Sequence, residues 1–244
     1  MKKISLLAAG LLLGVVTSAA AADEKKPEKN WSDELELSYV NTTGNSRVST
    51  FSGKNLFKYK FTPAFSLTWK LAALSGSDKG TTNAEMYATD LRLDYLFTER
   101  FYSYANAGWL KDRFAGFDPR LYIGTGVGYK ILTGPVHTWV GEVGLNFVHE
   151  EYTDTRTNDF IGGRLFTEYG YAFTEKSKFT QSLEFLDDLM TTANYQFISV
   201  SALTGNLTNI FSLKLSYTLR YWNRPPTDKT TTDTILAAAL MASF

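Results

Sequence analysis

From Trp31 to Phe244 the chain repeats one pattern: apolar and polar residues alternate with a period of two, in long segments separated by polar stretches. In 208–222, Phe211, Leu213, Leu215, Tyr217, Leu219 and Tyr221 share one face, while Ser212, Lys214, Ser216, Thr218 and Arg220 share the other. Such alternation is the strand signature, because successive side chains point to opposite sides of a sheet. It recurs in 85–97, where Tyr87, Leu91, Leu93, Tyr95 and Phe97 oppose Asp90, Arg92 and Asp94, and in the central pair 101–113 and 121–132. Further segments fall at 32–42, 47–61, 65–75, 136–149, 159–173, 178–189, 194–204 and 230–244, which makes twelve. Soluble strands run to about five or six residues, whereas a tilted strand crossing a bilayer needs roughly 9–11. The pattern predicts an all-β fold: an antiparallel up-and-down transmembrane β-barrel of about twelve strands over 31–244.

The connectors support that reading. Thr62-Pro63-Ala64, Thr98-Glu99-Arg100, Thr133-Gly134-Pro135 and Thr174-Glu175-Lys176 are tight, and longer polar stretches, Gly76–Ala84, Lys111–Arg120, Glu150–Asn158 and Asn223–Lys229, lie between them. Short turns on the periplasmic side and long loops outside are the asymmetry of outer-membrane barrels. Thr43–Ser46 and Met190–Ala193 are short for external loops. Proline cannot donate to a ladder, and Pro63, Pro119, Pro135, Pro225 and Pro226 all fall in the expected connectors, with Pro27 ahead of the first strand. Aromatics cluster at the segment ends. Phe61, Phe65, Phe97, Phe101, Tyr129, Trp139, Tyr171, Phe173 and Phe179 are expected near the short turns, and Tyr39, Trp69, Trp109, Phe147, Tyr195 and Tyr221 toward the loops, as two interfacial girdles.

Composition narrows the picture. Aromatic residues make up 15% of the 244-residue chain, yet the mean hydropathy is −0.18, which suits a sheet with one lipid face and one wet face. Residues 1–22 read as a secretory signal peptide: Lys2-Lys3, the apolar run Ile4–Val16, then Ala20-Ala21-Ala22. Residues 23–30, DEKKPEKN, read as a charged periplasmic leader. Removing Lys2 and Lys3 leaves 23 basic against 25 acidic residues, which gives no electrostatic case for nucleic acid. No cysteine is present, so disulfides and thiolate metal sites are excluded. The expected partners are outer-membrane lipid and the barrel-assembly machinery, which reads a terminal amphipathic strand such as the one ending at Phe244.

Trp31, the Gly44-Asn45-Ser46 turn, Asp112-Arg113-Phe114, Asp118, Arg120 and the Gly124-x-Gly126-x-Gly128-Tyr129 strand together resemble the YdiY-like family of salt-induced outer-membrane proteins (domain of unknown function 481). The resemblance covers nearly all of the mature chain. It implies an outer-membrane location in a Gram-negative-type envelope and an association with salt stress, and it supplies no catalytic or ligand residues.

The residues themselves suggest little chemistry. Gly124, Gly126 and Gly128 lie on one strand face, outside the strand–turn–helix context of a dinucleotide site. They are expected to leave room for bulky neighbours inside the barrel or to permit bending. Of the two histidines, His137 sits beside a short turn, whereas His149 is expected at the outer rim near Glu150, Glu151, Asp154 and Asp159. A rim hydrolase of lipase or protease type near His149 is the enzymatic alternative; no catalytic residue, cofactor or metal site is otherwise expected. The inward faces carry more. Glu36, Lys54, Lys58 and Lys70 on the first three strands, Asp90, Arg92 and Asp94 on the fourth, Glu142, Arg164, Glu168 and Glu184 on the seventh to ninth, and Lys214 and Arg220 on the eleventh are expected to face the lumen. A lysine or arginine on the lipid face costs about 2–4 kcal/mol at mid-depth, and opposite charges inside should pair. The expectation is a non-enzymatic envelope barrel, with a charge network filling its interior or a narrow pore for ions and small solutes.

Overall fold

The computed structural model describes residues 29–43, 48–78, 81–113, 115–191, 193–225 and 229–244. The signal peptide, most of the leader, Pro27, Pro226, the Gly44-Asn45-Ser46 turn and Phe114 lie outside the described residues. Twelve strands form one closed antiparallel barrel in which each strand pairs with its sequence neighbours and β1 closes on β12. They are β1 (Trp31–Thr43), β2 (Val48–Lys60), β3 (Phe65–Asp78), β4 (Thr81–Leu96), β5 (Phe101–Asp112), β6 (Phe117–Thr133), β7 (His137–Tyr152), β8 (Thr157–Thr174), β9 (Ser177–Asp188), β10 (Tyr195–Asn206), β11 (Phe211–Trp222) and β12 (Thr232–Ser243). The seam is tied at the chain end by Phe244 N–H to the Asp33 carbonyl at 2.9 Å and by Asp33 N–H to the Phe244 carbonyl at 3.3 Å. Closure leaves no free sheet edge, which backbone in hydrocarbon requires.

The alternation fixes the two faces. Leu35 and Leu37, Leu91 and Leu93, Ile123 and Val127, Val143 and Leu145, and Leu213 and Leu215 are all exposed outward. Between them Glu36, Ser38, Glu142, Asn146 and Ser216 are buried inside. Polar groups on the outer face satisfy one another: Trp69 Nε1 donates to Thr89 Oγ1 at 2.9 Å, Trp139 Nε1 to Thr167 Oγ1 at 2.8 Å, and Gln181 bridges Ser199 and Ser201.

The short turns share one construction. Thr62, Thr98 and Thr208 each accept two backbone N–H groups, from the residues two and three positions on. Thr174 caps Lys176 in the same way. These hydroxyls hold the turn in place of ladder bonds. Phe61 stacks on Phe65 at 5.1 Å and Phe97 on Phe101 at 5.6 Å, so aromatic pairs straddle two of the turns. The turn at Leu207–Ile210 begins β11 at Phe211 rather than at 208, because the Thr208 cap and the Leu207 and Thr208 bonds to the Phe211 carbonyl occupy that stretch.

Three sequence expectations need correction. The expected long external loops are mostly strand: β3 runs to Asp78 and β4 starts at Thr81, and β7 and β8 leave only 153–156 between them. Polar side chains do not break a ladder that stands in water on both sides, so the asymmetry lies in strand extension rather than loop length. Pro119 lies within β6, at a register shift between Phe117 and Arg120 where the ladder is interrupted, which is where a strand tolerates proline. Trp69 stands four residues after Phe65, in the half of β3 nearer the short turn. The first strand begins at Trp31, and the carbonyl of Asn30 just ahead of it accepts the Lys60 N–H at 2.6 Å.

Candidate functional site

The interior is organised by β5, β6 and β7. Tyr102, Tyr104 and Asn106 project inward from β5, and the register sets Gly128, Gly126 and Gly124 of β6 directly opposite them. A Cβ on Gly128 would enter the Tyr102 ring, one on Gly126 would come within 2.6 Å of the Tyr104 hydroxyl, and one on Gly144 of β7 would overlap that same hydroxyl. Gly108 makes the same room for Tyr122. The glycine face therefore lets tyrosine rings lie flat on the barrel wall. Gly126→Val is expected to displace Tyr104 and destabilise the barrel by about 1–3 kcal/mol; an unchanged urea midpoint in vesicles would show that the space is not needed.

On this tyrosine floor sits a charge network. Arg92 grips Glu142 with both terminal nitrogens, at 3.1 and 2.7 Å, and also holds Asp94 at 2.7 Å. Arg164 donates to Glu142 at 2.7 Å, to the Tyr104 hydroxyl at 3.0 Å, and to Glu184. The Tyr102 hydroxyl gives Glu142 a further bond at 2.7 Å. The Arg92 guanidinium lies 4.2 Å from the centre of the Tyr104 ring, a cation–π contact. Glu142 is 8% exposed, and its carboxylate is held by two guanidinium groups and one hydroxyl. Such charge-assisted, fork-shaped contacts fix geometry as well as charge. A smaller triad lies on the other wall, where Lys54 and Lys214 share Glu36 at 3.0 and 2.9 Å.

Two of the cavities among the described residues lie within the sheet. One, of about 630 Å³, is lined by Lys58, Arg92, Arg120, Arg164, Glu168 and Glu184 among others; the second, of about 460 Å³, by Glu36, Lys54, Lys214 and Met241 among others. Both are bordered by Leu56, Lys70, Asp90, Leu110 and Tyr122, which lie between them. The Tyr122 hydroxyl donates to Asp90 at 2.5 Å. Of the lumen charges read from the sequence, the structure gathers Arg92, Asp94, Glu142, Arg164 and Glu184 into one network and Glu36, Lys54 and Lys214 into another. It leaves Lys58, Lys70 and Glu168 lining the larger chamber, and sets the half-buried Arg220 opposite Asp233 in the ladder.

Toward the end of the barrel away from the short turns, residues that alternation alone does not identify reach across the lumen. Gly116, at φ 102°, makes the turn after β5 in a conformation that glycine adopts without strain, and it delivers Phe117 into the lumen. Phe117 is 3% exposed, stacks on Trp222 at 5.0 Å and packs at a tilt against Tyr152 at 5.7 Å. Arg120 reaches from β6 to Gln196 of β10 at 3.2 Å. Its Nε stands 3.2 Å from Oε1 of the fully buried Glu150, close enough for charge pairing but misaligned for a hydrogen bond. Trp222 Nε1 is anchored by Asn194 at 3.2 Å, and Asn194 by Asp188 at 2.9 Å.

The histidines lie elsewhere. His149 shares the outer face of β7 with Leu145 and Phe147, and contacts Asp159 at 2.5 Å and Glu151 at 3.4 Å; among the described residues no hydroxyl nucleophile is bonded to it. His137 bonds the Tyr169 hydroxyl at 2.8 Å and stacks on Tyr171 at 5.1 Å, within the aromatic belt.

A closed antiparallel barrel with an apolar outer band, aromatic belts and a charged interior is the architecture of outer-membrane β-barrels. Among the solved barrels that resemble it, three illustrate the likeness. They are the NanC porin (TM-score 0.59, 5% identity, 84% of this chain and 98% of that one), the COG4313 outer membrane channel from Pseudomonas putida F1 (0.56, 10%, 91% and 98%) and the translocator domain of the autotransporter NalP from Neisseria meningitidis (0.53, 10%, 91% and 90%). The family model described as "Protein of unknown function, DUF481" matches residues 35–244, and the chain belongs to that family. Its relative "Uncharacterized protein YdiY" of Escherichia coli K12 is 29% identical over 217 residues, 86% of this chain and 84% of that protein.

Proposed function

We propose that this protein is a narrow, non-enzymatic passage for small polar solutes across the outer membrane of a Gram-negative-type envelope. The observation that supports the reading is the pair of chambers inside a closed sheet, bordered in common by Lys70, Asp90 and Tyr122, the larger of them lined by charged side chains of both signs. A purely structural plug has no need of chambers large enough for a small solute. The names of two barrels of the same fold, a porin and a channel, add support. The Arg92–Glu142–Arg164 network narrows the waist and the Phe117–Trp222 stack covers the mouth, so the passage selects by size before it selects by charge. Export by a cleaved signal peptide, assembly through the strand ending at Phe244, and the salt-stress association implied by the family resemblance belong to the same proposal. The purified barrel in liposomes is expected to allow swelling in a pentose and to refuse a trisaccharide. Equal swelling in both would mean a wide pore, and swelling in neither would remove the passage.

A further inference from the structure

Lys58, Lys70 and Glu168, charged side chains of the larger chamber, take no part in the networks above. Leu56 of β2 pairs with Lys70 of β3, so Lys58, two residues along the same face, is the diagonal neighbour of Lys70, about 7–8 Å away. Both lysines are exposed to the chamber, and among the described residues neither makes an ion pair or hydrogen bond. Glu168 of β8 is in the same state and lines the same chamber. Round the closed ring, β2 and β8 are six strands apart in either direction, so they stand diametrically opposite. Meanwhile Arg92, Arg164 and Arg120 are all held by carboxylates; Asp90 takes the Tyr122 hydroxyl and stands opposite Lys70 in the β3–β4 ladder, so the wall carries two lysines against one carboxylate.

Fixed cations on one wall and a fixed carboxylate on the other create a transverse field, strengthened by low-dielectric walls. A solute of one sign meets repulsion at one wall; a solute carrying both signs aligns with the field and satisfies both walls. Resting on the passage reading, we propose that this chamber is a binding site for small zwitterionic solutes of amino-acid type. The carboxylate is taken by Lys58 and Lys70, and the ammonium by Glu168.

The test is uptake of four isotope-labelled solutes of one size into proteoliposomes: glycine (zwitterion), glycolate (anion), ethanolamine (cation) and ethylene glycol (neutral). In the wild type glycine is expected to enter fastest. Lys58→Met with Lys70→Met is expected to abolish that lead and favour ethanolamine, whereas Glu168→Gln is expected to abolish it and favour glycolate. None of these three side chains holds another in place, so each variant is expected to fold. Equal entry of all four solutes, or a glycine lead that survives both variants, overturns the site and leaves the passage standing. Entry of none overturns the passage and the site with it.

Discussion

Replacing Glu142 with alanine is expected to lower the unfolding free energy of the barrel by about 3 kcal/mol, the lower end of the cost of breaking a buried ion pair. The carboxylate is the shared acceptor of Arg92, Arg164 and Tyr102. Without it two guanidinium groups, with side chains only 18% and 11% exposed, face each other across a half-emptied lumen. The lower end applies because Arg92 keeps Asp94 and Arg164 keeps Glu184. Glu142→Gln, which keeps an acceptor but not the charge, should cost roughly half as much. Urea unfolding in lipid vesicles reads both. A loss below about 1 kcal/mol for the alanine variant, the range of an exposed pair, would show that the network is solvated and does not define the waist.

Phe117→Ala is expected to open the outer mouth. Phe117 enters the lumen because Gly116 turns the chain inward, and its ring fills the space between Trp222 and Tyr152. Truncating a buried phenylalanine costs about 3–5 kcal/mol in a closed core. At a mouth open to water the cavity can fill, so a cost of about 2–3 kcal/mol is expected. The functional sign is the sharper readout: single-channel conductance should rise while the charge preference, set deeper at Lys58, Lys70 and Glu168, stays as it was. An unchanged conductance would mean that the stack does not obstruct the path.

The fold was legible because alternation decides which face a residue occupies, and a barrel needs little more than that decision repeated. All twelve strands fall where the period-two segments lie. The glycine face of β6 was also readable as space for bulky neighbours, but not which neighbours. Tyr104 meets Gly126 only because of the β5–β6 register, and period two carries no information on register. The networks were hidden for the same reason. Arg92 and Glu142 are fifty residues apart, and Arg120 and Gln196 seventy-six apart. Their meeting depends on strand tilt and stagger, which set the height of each side chain in the lumen. Arg120 and Glu150 both sit in polar stretches that read as loops, yet they face each other in the β6–β7 ladder. His149 reads from the sequence as a rim residue beside acidic groups; one step of alternation turns it to the outer face, away from the lumen.

The central claim is that the lumen conducts, and planar-bilayer recording of the purified, refolded wild-type protein addresses it most directly. Small discrete current steps that persist across a range of KCl concentrations are the predicted result. A silent bilayer, from protein shown to be folded by its heat-modifiable migration, would contradict the account and leave the barrel a closed structural element.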